Sequence, residues 1–262
     1  MSVQQQARLL HQDEITPQDF AGATMQWLVD QRLGAAHVMS YRLVIDPGGA
    51  ASHAHDGTEE ALYVLSGSGT ISVEAATHPV NPGMAVFIPA GAEHTYENPG
   101  SDALVLVGAM APPIEVAAIR PAMPRLDLAS ALRGSGIDER TVRPMMMDEQ
   151  RVTPTLMGER SFRVLASPEV GCRTMTQFTG IIPTGRAPLH AHPHEEAVYI
   201  LEGEGRLWIG EEPVGELRPG SVVFFPIGVR HTLETTGAAN MKVLGAFSPA
   251  GSPEAKLPPP PR

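Results

Sequence analysis

Ser52-His53-Ala54-His55-Asp56-Gly57-Thr58-Glu59-Glu60-Ala61-Leu62-Tyr63-Val64 and Leu189-His190-Ala191-His192-Pro193-His194-Glu195-Glu196-Ala197-Val198-Tyr199-Ile200 are two versions of one pattern. Each has two histidines one residue apart, then a pair of glutamates, then an apolar run. Working outward, a shift of 137 residues also brings Gly34 onto Gly171, Gly48 onto Gly185 and His53 onto His190. The register drops by one after the second histidine, so that Glu60 meets Glu196 and Gly67 meets Gly203. It returns at Gly83/Gly220, Pro89/Pro226, Gly91/Gly228, His94/His231 and Gly108/Gly245. A correspondence this long, with one altered loop, marks a duplicated unit.

The periodicity inside each copy is that of strands. In 39–45, Met39, Tyr41, Leu43 and Ile45 share one face, and 174–182 repeats the alternation. Segments 59–74 and 195–210 each read as a strand, a glycine turn and a second strand. With 26 Gly and 25 Pro spread through 262 residues, turns are frequent and strands short. The expected fold is all-β: two tandem units at 20–112 and 155–250, each closing a small β-barrel or jelly roll, joined by a linker at 113–154 and followed by a mobile Pro-rich tail at 251–262. Within the linker, 127–133 reads as a short helix with Asp127 as N-cap and Gly134 beyond its end. The Met145–Met147 run is expected to pack against a barrel.

Composition removes whole classes of function. Nineteen Lys and Arg against 29 Asp and Glu give a formal charge of −10, the wrong sign for binding a phosphate backbone, so no nucleic-acid partner is expected. No apolar run approaches the roughly 18–20 residues of a spanning helix, so no membrane partner is expected either. The N-terminal segment does not read as a signal peptide, which makes the expected location cytoplasmic. One cysteine, Cys172, excludes an internal disulfide and thiolate-rich metal sites, and reads as a small buried hydrophobe.

Six of the ten histidines fall at equivalent repeat positions: His53, His55, His94 and His190, His192, His231. On a strand, residues i and i+2 point to the same face about 7 Å apart, so each H-x-H sets two imidazoles side by side. Glu60 and Glu196 open the next strand, and His94 and His231 complete each cluster from a neighbouring one. Three imidazoles and one carboxylate suit one divalent transition metal per barrel: Fe, Mn, Ni, Zn or Cu. Four protein ligands on an octahedral ion leave two positions open, which is a catalytic arrangement. Parity turns Glu59 and Glu195 away from the ligands, and His194 reads as a surface residue. Parity also sends Leu62, Val64 and Tyr96 into the first pocket and Val198, Ile200 and Leu233 into the second. Neither pocket is expected to hold an Arg or Lys, which favours a small, weakly charged substrate.

These segments resemble the cupin superfamily. Its first motif, G-x5-HxH-x3-4-E-x6-G, is read at Gly185, His190, His192, Glu196 and Gly203, and again at His53, His55, Glu60 and Gly67, with Gly48 one place late. Its second, G-x5-P-x-G-x2-H-x3-N, fits Gly83, Pro89, Gly91, His94 and Asn98. The second copy has Gly220, Pro226, Gly228 and His231, with Thr235 in place of the Asn. The resemblance implies a bicupin with a metal at the centre of each barrel. The most frequent chemistry it implies for this ligand set is oxygen-dependent, that of an oxidoreductase of the dioxygenase type, with the substrate chelating the metal. Alternatives are a redox-neutral hydrolase, isomerase or decarboxylase, including a ureidoglycine aminohydrolase, whose ligand pattern differs from the one found here, or a non-catalytic small-molecule-binding barrel. Exposed strand edges make a homodimer the expected assembly. If one site alone is catalytic, the second is favoured, because Pro193 stiffens its shorter ligand loop where Gly57 loosens the first.

Overall fold

The structure is a computed structural model that describes residues 7–20, 22–74, 76–115, 120–121 and 145–258. The chain folds into two β-barrels, each made of a long and a short antiparallel sheet. In the N-terminal barrel the long sheet runs, edge to edge, Met145–Asp148, Met84–Ile88, Glu59–Ser66, Leu104–Ala111, Met39–Ile45, Ala23–Val29, Gln18–Phe20. Its short sheet contains Ala50–Ala54, His94–Glu97, Gly69–Val73 and Ala76–Val80, with Arg120–Pro121 at one edge. The C-terminal barrel repeats this, its long sheet running Arg8–His11, Ser221–Phe225, Glu195–Glu202, Met241–Ser248, Thr176–Ile182, Arg160–Ala166, Thr155–Met157. The fold is therefore all-β, as expected. The helix expected at 127–133 lies outside the described residues.

Two strands cross between the units. Arg8–His11, ahead of the first barrel, pairs with Ser221–Phe225 of the second, and Met145–Asp148, from the expected linker, pairs with Met84–Ile88 of the first. Each covers an edge that would otherwise expose a row of unpaired backbone groups. The edges from which a homodimer is argued are thereby moved onto these two short strands. At the opposite edges of the long sheets stand the short strands Gln18–Phe20 and Thr155–Met157.

The outward faces of the long sheets meet in the largest apolar cluster. Ala61, Tyr63, Phe87, Val107 and Ala109 of the first barrel pack with Ala197, Tyr199, Phe224, Leu244 and Ala246 of the second. Cys172 is buried there, its thiol pushed up to about 12 by burial, with Glu59 adding to the shift. It is inert packing, as its sequence context indicated. The inward faces of the first barrel form their own core, which includes Leu62 and Val64, while Val198 and Ile200 belong to that of the second.

The interface also has polar locks. Glu59 accepts hydrogen bonds from the backbone N–H groups of Arg173 and Thr174, both at 2.8 Å, and from the Thr174 hydroxyl at 2.7 Å. The equivalent Glu195 accepts from the N–H groups of Ala36 and His37, at 2.9 and 2.7 Å. Both receiving loops follow a 3-10 turn closed by a left-handed glycine, Gly34 at φ 89° and Gly171 at φ 97°, a conformation other L residues adopt at a cost. A third lock is Glu149, which accepts from Tyr63 Oη at 2.7 Å, Thr179 Oγ1 at 2.9 Å and Lys242 Nζ at 2.9 Å.

Burial alone would raise the Glu149 carboxyl, but the hydrogen bonds from Tyr63 and Lys242, the Lys242 charge and Thr179 hold it below the ordinary carboxylate range. A folded value below the unfolded one, near ~4.3, means the stabilisation is complete above that pH and is lost as pH falls through the folded value. Glu149→Ala should cost about 2–4 kcal/mol in denaturant unfolding at pH 7. The advantage of wild type over Glu149→Gln should be full above about pH 5 and should shrink below pH 4.

Candidate metal centres

The first ligand cluster is assembled by strand register. His53 and His94 are direct cross-strand partners in the short sheet, so their rings meet, with Nε2 atoms 2.9 Å apart. His55 follows two residues after His53, and Glu60 reaches the same point from the long sheet. Glu60 Oε2 lies 2.9 Å from His55 Nε2 and 3.1 Å from His94 Nε2. In the second cluster, His190 and His231 are bridged across their backbones, and His192 completes the group. Among the described residues, His53, His55, Glu60 and His94 converge, and so do His190, His192 and His231.

The ring geometry fits a divalent metal. His55 Nδ1 lies 2.8 Å from the Thr58 carbonyl and His94 Nδ1 2.9 Å from that of Ala92. In the second barrel His190, His192 and His231 place Nδ1 at 2.8, 2.7 and 2.9 Å from the carbonyls of Pro188, Ala255 and Val229. A carbonyl only accepts, so each of these five rings carries its proton on Nδ1 and turns an Nε2 lone pair toward the centre. Burial lowers His55 and His190 to about 4 and His53 and His231 well below the usual range, with neighbouring imidazoles adding to the effect, so these four rings favour the neutral form. Neutral imidazoles with converging lone pairs are what a borderline divalent ion requires, and each barrel carries such a set.

The two centres differ in what surrounds them. In the first, Tyr41 and Tyr96 both donate their hydroxyls to Glu60 Oε1, Tyr96 at 3.0 Å. Trp27, Met25, Met39 and Leu43 belong to the same buried core, and all four ligands are buried. Leu62 and Val64, expected as pocket residues, are part of this packed core. In the second barrel the positions of Tyr41, Leu43 and Tyr96 are occupied by Phe178, Gly180 and Leu233. The loss of two hydroxyls and one isobutyl group leaves a cavity of about 80 Å³ beside His190, His192 and His231. Val198 and Leu233 line it, and Ile200 belongs to the same core cluster.

Glu196 lines the cavity but stands apart from the three-histidine convergence, its Oε2 3.7 Å from His192 Nε2. Burial raises its carboxyl above the usual range, against the pull of His192 and Arg160. Thr235, which replaces the motif asparagine, donates to the Ile182 carbonyl at 2.9 Å, the counterpart of the Asn98 bond to Ile45 at 2.8 Å, so the substitution keeps the brace.

Three expectations are corrected here. Arg160 lines the second cavity, so that pocket does hold a cation. Its strand position corresponds to Ala23 in the first barrel, which is why repeat comparison did not reveal it. His194 is buried, its ring stacked between His192 and Phe247 at centroid distances of 4.7 and 3.9 Å, so the strand Met241–Ser248, distant in sequence, covers a residue that its loop position marked as exposed. The tail is held as far as Pro258: Ala255 supplies the carbonyl on His192, Leu257 N–H donates to the Ala191 carbonyl at 2.8 Å, and Pro253 lines the cavity.

Two barrels, each with a histidine cluster at its centre, define a duplicated jelly-roll protein of the metal-site type. The chain belongs to the cupin-domain family Cupin_2, whose model matches residues 41–110 and 178–247. It is similar to protein SchB of Streptomyces halstedii, 29% identical over 99 residues, which are 37% of this chain and 72% of that protein. Among solved structures it superposes on the protein of Pseudomonas aeruginosa described as glyoxylate-induced, with a TM-score of 0.73, 16% identity and coverage of 96% of this chain and 92% of the other. It also superposes on an oxalate decarboxylase of Lactobacillus farciminis, with a TM-score of 0.73, 12% identity and coverage of 95% and 87%. At these identities the structural likeness is one of fold. No helix among the described residues is long and apolar enough to cross a membrane.

The purified, tag-free protein should carry two divalent transition ions per chain by elemental analysis. His94→Ala and His231→Ala should each reduce this to one, and the double variant to none. A wild type with no affinity for Fe, Mn, Ni, Zn or Cu would defeat the assignment.

Proposed function

We propose that this chain is a metal-dependent enzyme whose chemistry runs in the C-terminal barrel, and that the N-terminal cluster serves to hold its barrel together. The observation that carries this reading is the cavity beside His190, His192 and His231, set against the tyrosine-filled interior around His53, His55, Glu60 and His94. Substrate needs space at the reactive centre: a cavity lies beside the second cluster, whereas all four ligands of the first are buried and two tyrosine hydroxyls bond its glutamate.

A divalent ion held by His190, His192 and His231 would supply Lewis acidity toward a substrate oxygen. The carbonyls of Pro188, Ala255 and Val229 fix the three rings in tautomer and orientation, so the centre is preorganised. Phe162, Phe178 and Leu233 wall the cavity with apolar surface and limit water beside the reacting atoms. Glu196, close to His192 yet outside the convergence, is placed to hold or release a proton at Oε2.

A carboxylate free to move a proton favours a redox-neutral reaction such as hydrolysis, isomerisation or decarboxylation. The mostly apolar lining supports a second reading, the oxygen-dependent dioxygenase. Turnover of a small-molecule panel followed in an oxygen electrode separates them: the first reading expects product without oxygen uptake, the second expects stoichiometric uptake. Glu196→Gln should lower kcat by roughly 10²–10⁴-fold if Glu196 carries the proton. His192→Ala should abolish turnover while His55→Ala, checked for folding, retains it; the reverse pattern would place the chemistry in the first barrel.

A further inference from the structure

We propose that the C-terminal cavity takes a small organic monocarboxylate, with Arg160 holding the carboxylate and Phe162, Phe178 and Leu233 packing the apolar body that faces the three histidines. This rests on the placement of the chemistry in that barrel. Arg160 begins the strand Arg160–Ala166 and lines the cavity that also contains His190, His192 and Glu196. No described residue makes a hydrogen bond or a close ion pair to its guanidinium, and Glu196 acts on it only at a distance. A guanidinium taken partly out of water without a partner costs free energy that a bound anion offsets, and its planar fork matches a carboxylate in two parallel hydrogen bonds. Burial pulls its pKa below the usual range, against the pull of Glu196. The group nonetheless stays charged at neutral pH.

The repeat provides an internal comparison. Ala23 stands at the equivalent position in the first barrel, where all four ligands are buried. The cation and the cavity thus occur together, in the same copy. Charge counting gives the same answer. A divalent ion, three neutral imidazoles, Glu196 and Arg160 sum to +2, whereas the first centre, with Glu60 and no arginine, sums to +1. The extra positive charge calls for one negative charge on the ligand. A phosphate monoester dianion would need more donors than one guanidinium beside a carboxylate provides, and the aromatic and aliphatic walls suit a carbon skeleton.

The test is calorimetric binding to the full-length, metal-loaded protein, using isobutyrate and benzoate, their neutral amides, and inorganic phosphate. The expected result is at least tenfold tighter binding of a carboxylate than of its amide. Arg160→Gln should erase that preference with two ions per chain retained, Arg160→Lys should restore part of it, and the exposed-site control Arg206→Gln should leave it unchanged. Equal binding of acid and amide, a preference that survives in Arg160→Gln, no binding of either acid, or Arg160-dependent binding of phosphate in preference to the acids would each overturn the proposal. A wild type without an ion in the C-terminal barrel would defeat the enzymatic reading instead. In that event an Arg160-dependent preference for acid over amide in the metal-free protein would uphold the carboxylate site, and its absence would overturn it.

Discussion

Successive side chains on a β-strand point to opposite faces, and here that alternation acts on two neighbouring glutamates at once. Glu60 turns into its barrel and meets His55 and His94, while Glu59 turns out and holds the backbone of Arg173 and Thr174 in the other barrel. Glu196 and Glu195 do the same in the opposite direction. The following residues continue the division, Leu62 and Val64 into the first core, Ala61 and Tyr63 into the interface. A slip of one residue would exchange every pair, placing a tyrosine among the ligands and a ligand between the barrels. Metal cluster and barrel–barrel contact are therefore set by one register, and neither can shift alone.

Duplication preserves this frame and lets the interiors diverge. Tyr41 and Tyr96 spend their hydroxyls on Glu60, which ties down the carboxylate oxygen that does not face the imidazoles. Phe178 and Leu233 have no hydroxyl to give, so Glu196 lacks those two donors and sits apart from its histidines. Gly180 opens the wall further; a Cβ there would stand 3.2 Å from Val243 Cγ2, tighter than ordinary contact. The first interior is packed to hold a cluster still. The second keeps the cluster beside an open cavity.

Much of this was legible in sequence because it follows from local periodicity and repeat register. The six histidines, both glutamate pairs, the strand faces and the two-barrel fold all rest on spacings of a few residues, or on matching glycines and prolines. The missed features depend on chain segments that meet only in three dimensions. Arg8–His11 and Met145–Asp148 complete sheets of units they do not adjoin in sequence, and no spacing announces that pairing. Arg160 has an alanine as its counterpart, so a search for duplicated chemistry passes over it. His194 is buried between His192 and Phe247, and the latter is 53 residues away in sequence.

The single gap in the repeat has a structural consequence of its own. In the first barrel the longer loop contains Thr58, whose carbonyl, three residues on, orients His55. The second loop is one residue shorter, and His192 takes its acceptor from Ala255 instead, 63 residues away. The other two second-barrel ligands use carbonyls of their own turns, at Pro188 and Val229. His192 alone depends on the C-terminal segment, which is pinned beside it by the bond from Leu257 to Ala191 and which brings Pro253 to the cavity. One segment thus orients a ligand of the second cluster and forms part of its cavity wall, whereas His55 and His94 of the first take their carbonyl acceptors from their own barrel.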